Sequence, residues 1–256
     1  MNPYGHACRS FCHPRKIWLS IVAASVSFWT VSCYAAVVVR WYGHNFVYLI
    51  SASGLRVAFD PFGQEVVHYP FPAKLQADVV LISNESDSCS AAEKLYGSPQ
   101  VFRSVTAIGI NNARGLLFRG VETYRDDHRG AFLGRNVCFV LDLDGIRFIH
   151  LGDLGHPLEP SQKEALGRAD VLFLPVGNPR LSMETLDQIV DDLQPRIVVP
   201  IGYKTEASGS LNLRDLESYL DKRANVKRIG GSEFSLTPDS LPSKTTIYVL
   251  SRPSLP

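Results

Sequence analysis

Acidic residues are missing from the start of this chain, and cysteine is almost missing from the rest of it. No Asp or Glu occurs before residue 36, whereas Arg9, Arg15 and Lys16 make the opening basic. Of the five cysteines only Cys89 and Cys138 lie beyond residue 35, too few for a disulfide framework. No low-complexity linker divides the remainder, which excludes an obvious multidomain array. Charge excess is also lacking. Removing residues 1–35 leaves 23 basic against 25 acidic residues, a net charge of −2 with histidine neutral. That balance speaks against nucleic-acid binding. The basic cluster Lys222, Arg223, Lys227 and Arg228 reads as a solvated helix end rather than a phosphate site.

What is present begins with a leader. The stretch from Ile17 to Ala36 has no charged residue and ends in small residues, Ser32, Cys33, Ala35 and Ala36. A basic start, an apolar stretch and a small-residue exit read as an export signal cleaved after Ala35. An uncleaved anchor is the main rival, because about 20 apolar residues can span a bilayer. A buried core helix is the bland alternative, and lipid attachment at Cys33 is disfavoured by Thr30 three places earlier. The first two readings both place the following domain, residues 36–256, outside the cytoplasm. Contact with a membrane is expected only through the leader, if it is retained.

The rest of the chain alternates short apolar runs with turns. Val37–Arg40, Phe46–Ile50 and Leu55–Phe59 read as strands, and Val79–Ile82 as a buried one. Ala91–Tyr96 suits a short helix. Val101–Phe102, Val105–Ile108, Gly115–Phe118 and Val121–Tyr124 read as further strands. Val137–Leu141 and Ile146–His150 form a hairpin around Asp144-Gly145. Helices are expected at Ser161–Leu166, Met183–Leu193 (capped by Ser182) and Leu213–Leu220, with strands at Val171–Pro175 and Ile197–Pro200. Strands followed by helices, twice over, predict an α/β fold of two facing sheets with helices outside them, in one domain.

Five segments carry a more specific resemblance. They are Trp41-Tyr42-Gly43-His44-Asn45-Phe46, Phe59-Asp60-Pro61-Phe62, Arg135-Asn136, the run His150-Leu151-Gly152-Asp153-Leu154-Gly155-His156, and Val199-Pro200-Ile201-Gly202-Tyr203-Lys204-Thr205. In order and spacing they resemble the metallo-β-lactamase superfamily, in its lactonase-like branch of small bacterial metal-dependent hydrolases. The resemblance implies a four-layer αββα sandwich and a zinc site built on a loop of the form Thr-His-x-His-x-Asp-His. Here that loop reads Ser83-Asn84-Glu85-Ser86-Asp87-Ser88-Cys89. Asn84, Ser86, Ser88 and Cys89 stand at ligand positions, Arg125 replaces a further ligand histidine, and Gly202 replaces the last. Only Asp153 keeps its residue.

Zinc needs about four N, S or O donors in tetrahedral reach, and without it no bound water is acidified. The expectation is therefore no zinc cofactor and a catalytically inactive pseudohydrolase with a binding or scaffold role. Its partner would be a small molecule or a protein. The alternative is a hydrolase with relocated or non-zinc chemistry in the same cleft. Glu85, Asp87, Asp126, Asp127 and Asp153 offer hard oxygens that suit Ca²⁺ or Mg²⁺. His44, Asp60, His128 and His156 complete the residues expected to flank the cleft, Asp60 as a support behind the loop. Since Arg125 replaces a ligand, its guanidinium is expected to reach Asp153 and stand in for the lost metal charge. A reporter enzyme fused after Asp60 should be active outside the cytoplasm; activity confined to the cytoplasm would count against the leader assignment.

Overall fold

The structure is a computed structural model and describes residues 36–221 and 223–252. The leader expectations and Lys222 lie outside these residues. The chain divides into two compact units, and the second, Tyr34–Pro256, holds every strand and helix described. It has its own core of buried aliphatic and aromatic side chains.

In chain order the strands are β1 (Val37–Gly43), β2 (Phe46–Ile50), β3 (Arg56–Phe59), β4 (Val79–Leu81), β5 (Gln100–Phe102), β6 (Gly109–Ala113) and β7 (Leu116–Tyr124). There follow β8 (Arg135–Leu143), β9 (Ile146–His150), β10 (Val171–Pro175), β11 (Ile197–Ile201), β12 (Val226–Arg228), β13 (Glu233–Leu236) and β14 (Thr246–Val249). Helices are α1 (Pro160–Leu166), α2 (Met183–Leu193) and α3 (Leu216–Leu220). One sheet has the order β13-β1-β2-β3-β4-β5, the other β12-β14-β11-β10-β9-β8-β7-β6. Each is part antiparallel and part parallel. β10 and β11, paired in parallel and buried at every position, are the continuous apolar runs expected of covered strands.

The two sheets meet face to face through aromatic rings. Phe59 of β3 stacks on His150 of β9 with centroids 4.9 Å apart, and Phe139 and Phe173 close around it at 6.2 and 6.5 Å. This is the inner pair of layers of the αββα sandwich. The outer layers are thin. α1 packs on β7 and β8 and against α2, and among the described residues the first half supplies only the 3-10 turn Ala92–Lys94. α2 starts where Ser182 Oγ accepts from the Thr185 amide at 3.1 Å, and it buries Leu186, Ile189 and Leu193. Among the described residues no helix is long and apolar enough to cross a membrane.

Several expected elements change on folding. Ala91–Tyr96 is only the 3-10 turn, because its ends join sheet contacts: Ala91 N–H bonds Pro61 O and Tyr96 N–H bonds Leu75 O. Val105–Ile108 is a turn leading into β6, and Gly115–Phe118 with Val121–Tyr124 is one nine-residue strand, β7. α3 starts three residues later than expected, since Asp215 caps it by accepting from the Ser218 amide. Lys227 and Arg228 lie on strand β12, not at a helix end, and Arg223 pairs with Asp187 and stacks on Tyr219. The Asp144-Gly145 hairpin is as expected, both residues taking the positive φ of a primed two-residue turn.

His150 is the polar member of the inter-sheet stack. Its Nε2 donates to Asn45 O at 3.0 Å and its Nδ1 accepts from the Gly152 amide at 3.0 Å, so the ring is neutral. Burial lowers its pKa to about 4, with the bond to Asn45 O opposing. The unfolded chain therefore takes up a proton here below about pH 6.5 that the folded chain refuses until about pH 4. The contribution to stability is complete above the unfolded value and is lost as pH falls through this window. The advantage of wild type over His150→Gln in urea unfolding should shrink by about 2 kcal/mol between pH 6.5 and 4.5. Parallel stability curves would contradict it.

Candidate functional site

The expected ligand positions gather at one rim of the sandwich, where strands of both sheets end. Asp60 follows β3 and takes both of its hydrogen bonds from the loop after β4. Ser83 N–H donates to its Oδ1 and Ser83 Oγ to its Oδ2, each at 2.7 Å. Burial raises the Asp60 pKa to about 7, opposed by the two Ser83 bonds. The loop then satisfies itself. Asn84 Oδ1 accepts from the Ser86 amide at 3.1 Å, and Ser86 Oγ lies 3.0 Å from Ser88 Oγ. Ser88 Oγ lies 3.6 Å from Cys89 Sγ, which accepts from Asn45 Nδ2 at 3.6 Å. Side chains at four ligand positions thus bond one another or their own backbone. Burial pushes the Cys89 thiol well up, away from the thiolate that a metal or an electrophile would need.

Arg125, directly after β7, faces Asp153, in the turn after β9. Its Nε donates to Asp153 Oδ2 at 2.8 Å and its Nη1 to Leu133 O at 3.2 Å. This is the pairing expected from the sequence. The other carboxylate oxygen accepts from Asn178 Nδ2 at 3.3 Å, and the Asp153 amide donates to Asn136 Oδ1 at 2.9 Å. Burial raises the Asp153 pKa, and Arg125 is the largest opposing influence. Both side chains are about one fifth exposed, at 21% and 22%.

At the end of β11, Gly202 donates its amide to His44 O at 3.0 Å and adopts φ +61°. A Cβ on Gly202 would lie 2.5 Å from Asn45 Oδ1. The amide of Asn45 therefore fills the space from which a longer side chain at 202 would start. Asn45 Oδ1 and His44 Nδ1 are both buried without a hydrogen-bond partner. His44 is held neutral, its pKa lowered to about 4 by burial and by the charge of Arg125.

A family model described as a β-lactamase superfamily domain matches residues 38–202, more than half of the chain. The chain belongs to the metallo-β-lactamase superfamily. A UPF0173 metal-dependent hydrolase of Methanobrevibacter smithii is 24% identical over 198 residues, spanning 65% of this chain and 82% of the relative. One from Thermococcus onnurineus is 26% identical over 214 residues, spanning 73% and 94%. Among solved structures, a protein of Thermotoga maritima described as a Zn-dependent hydrolase of the superfamily has a TM-score of 0.68. It is 28% identical to this chain, and the match covers 84% of this chain and 98% of that one. The metallo hydrolase Igni18 of Ignicoccus hospitalis shares the fold at TM-score 0.52 and 19% identity, over 72% and 89% of the two chains.

Relatives in this superfamily are described as metal-dependent, and the donor set here does not fit a zinc centre. Serine and amide oxygens are weak zinc donors, Gly202 supplies none, and Arg125 places a positive charge where a dication would sit. His44 Nδ1 and Asn45 Oδ1 have lone pairs to offer, but Arg125 opposes a cation beside His44. Among the described residues no three His, Cys, Asp or Glu side chains group as a metal site.

Several of the residues expected to flank the cleft do other work. Glu85 is exposed and binds Arg103 Nη1 and Ser104 Oγ at 2.7 and 3.0 Å, and Asp87 is exposed. Asp126 is buried, its two oxygens accepting from the amides of His128, Gly130, Phe132 and Leu133. It holds the 126–134 loop. His128 is exposed against Asp127, 2.6 Å away. His156 accepts from the Tyr124 amide and contacts Pro157 O, which positions the end of β7. Of the hard-oxygen groups proposed for Ca²⁺ or Mg²⁺, Glu85, Asp126, Asp127 and Asp153 thus each have separate partners. Of the expected flanking residues, His44 and Asp60 are the ones beside Arg125 and Asp153. Sequence reading missed Asn45 and Asn178, whose side chains complete the site. Asn45 carried a signal, since it directly follows the Gly-His turn that borders the ligand loop.

Arg125→Ala should leave Asp153 without its cation and cost about 2 kcal/mol in denaturant unfolding, below the range for a fully buried pair. Asp153→Asn in the same chain should recover most of that loss. Equal losses in the single and double variants would show that the pair contributes nothing specific.

Proposed function

We propose that this chain is an exported metallo-β-lactamase-fold protein that has given up zinc-water hydrolysis and keeps the cleft as a binding or scaffold surface. The observation that carries the reading is Arg125, at a ligand position, with its guanidinium 2.8 Å from Asp153, the one ligand position that keeps its residue. In such a centre the metal would neutralise Asp153 and acidify a water. Arg125 supplies the first of these and not the second. A guanidinium that stays charged at all accessible pH values cannot generate hydroxide from water. Nor does a substitute nucleophile offer itself. Cys89 is buried and neutral, Ser86 and Ser88 bond each other, and Ser83, whose hydroxyl donates to Asp60, is fully buried beneath the rim. The export part of the reading rests on the leader alone. A small molecule or a protein segment would meet the rim at the partly exposed Arg125 and Asp153, each already neutralised by the other.

Purified protein, exchanged against excess Zn²⁺ and then dialysed, should hold well under one zinc per chain. It should hydrolyse no lactone, phosphodiester or β-lactam above the zinc-free background. Retention of about one zinc per chain with a tight-binding isotherm would refute the proposal.

A further inference from the structure

Two guanidinium groups act on the Asp153 carboxylate, not one. Arg125 reaches it from the end of β7. Arg180, in the loop after β10, is the second: burial raises the Asp153 pKa, and Arg125 and then Arg180 oppose that rise. The link to Arg180 is short. Its amide donates to Asn178 Oδ1 at 3.1 Å, and Asn178 Nδ2 donates to Asp153 Oδ1 at 3.3 Å. Two cations on one carboxylate leave one positive charge uncompensated. Both also keep free donors. Arg125 spends Nε and Nη1, and its Nη2 has no acceptor among the described residues. Arg180 is exposed, and among the described residues its side chain makes no hydrogen bond or ion pair.

A third cation supports this end of the second sheet. Arg214 pins the loop that carries Arg180, with Nη1 on Val176 O at 3.2 Å and Nη2 on Leu181 O at 3.0 Å. It has no carboxylate partner among the described residues, so it adds to the positive field there. The nearby acids do little to cancel it. Asp60 is buried, and burial raises its pKa to about 7, so it carries only part of a charge at neutral pH. Glu85 is paired with Arg103, Asp127 lies against His128, and Asp126 is buried under four amides. Glu184, in the first turn of α2, is bonded to Ser182 and lines the groove between α1 and α2. Asp87 is exposed, on the loop after β4 and so on the other sheet from Arg180.

We propose that the rim is an oxyanion-binding site, in which Arg125 and Arg180 receive the carboxylate or phosphate group of a small acid beside Asp153. The proposal rests on the reading that the rim holds no zinc, and it reverses the charge preference of a metal centre. Guanidinium groups match the paired oxygens of carboxylates and phosphates. Asp153 has two effects on such a ligand. It holds Arg125 in place, and its own charge opposes the incoming anion.

The test is calorimetric titration of the full chain at low ionic strength with inorganic phosphate, with benzoate, and with benzamide as the uncharged control. At least one of the two anions should bind saturably, benzamide should not, and added salt should weaken the binding. Phosphate binding alone identifies phosphorylated acids as the class, and benzoate binding alone identifies carboxylic acids. Arg180→Gln should weaken binding at least about fivefold. Asp153→Asn removes the opposing charge and should tighten it at least about threefold. Arg168→Gln removes an exposed arginine ahead of β10, at the opposite strand end from the rim, and should leave affinity unchanged. Zinc content is measured on the same samples. Zinc-free protein that binds neither anion overturns this inference and leaves the zinc-free reading standing, whereas protein that holds zinc overturns both. Unchanged affinity in Arg180→Gln, weaker binding in Asp153→Asn, or an equal loss in Arg168→Gln also overturns it.

Discussion

The rim of this protein is organised around one partly buried carboxylate. Asp153 is positioned by backbone and side-chain bonds that do not depend on a metal: its amide on Asn136, and Asn178 on its Oδ1. With the carboxylate held there, some group must neutralise or protonate it, because an unpaired buried charge is expensive. Arg125 meets that need from the end of β7, two strands away in the same sheet. Desolvation of both partners offsets much of the attraction, so the pair matters more for what its absence would cost than for any net stabilisation.

That arrangement makes sense of the other replacements at the rim. With a guanidinium beside Asp153, the neighbouring rim side chains bond one another. Ser86, Ser88 and Cys89 form such a chain, closed by Asn45. Asn45 and Gly202 belong together for a steric reason: the amide oxygen occupies the space a Cβ at 202 would take. The unpartnered Asn45 Oδ1 and His44 Nδ1 are the residual cost of a loop geometry in which the surrounding backbone is kept.

The core tolerates these changes because it does not use the rim for cohesion. The sheets are joined by Phe59, Phe139, Phe148, Phe173 and the neutral ring of His150, all buried. His150 also reaches Asn45 O, so the first-sheet turn and the second sheet are tied at a point just beneath the site. A domain of this size buries enough apolar surface to fold without a metal.

Much of the fold could be read from sequence, for physical reasons that differ by element. β10 and β11 showed as unbroken apolar runs, the β8–β9 turn as Asp-Gly, and α2 as an amphipathic stretch behind Ser182. Each is a local signal, set by side-chain period, turn conformation or capping. The family was equally legible, because it depends on residue type at fixed spacing. Elements without a local signal went astray: the 91–96 segment became a single 3-10 turn because sheet contacts took its backbone groups, and two predicted strands merged into β7. The groups expected to flank the cleft depended on the fold in the same way. Nearness in sequence to the ligand loop put Glu85, Asp87, Asp126 and His128 on it, whereas the fold turns Glu85 to Arg103 and spends Asp126 on its own loop. By itself the sequence determined the strand and helix periodicity, the ancestry of the site and the charge that Arg125 carries. Only the tertiary structure decided that Arg125 reaches Asp153, that Asn45 closes the space above Gly202, and which acidic groups are already engaged. Those outcomes depend on which strand ends the two sheets bring within hydrogen-bonding distance, and no local pattern along the chain encodes that.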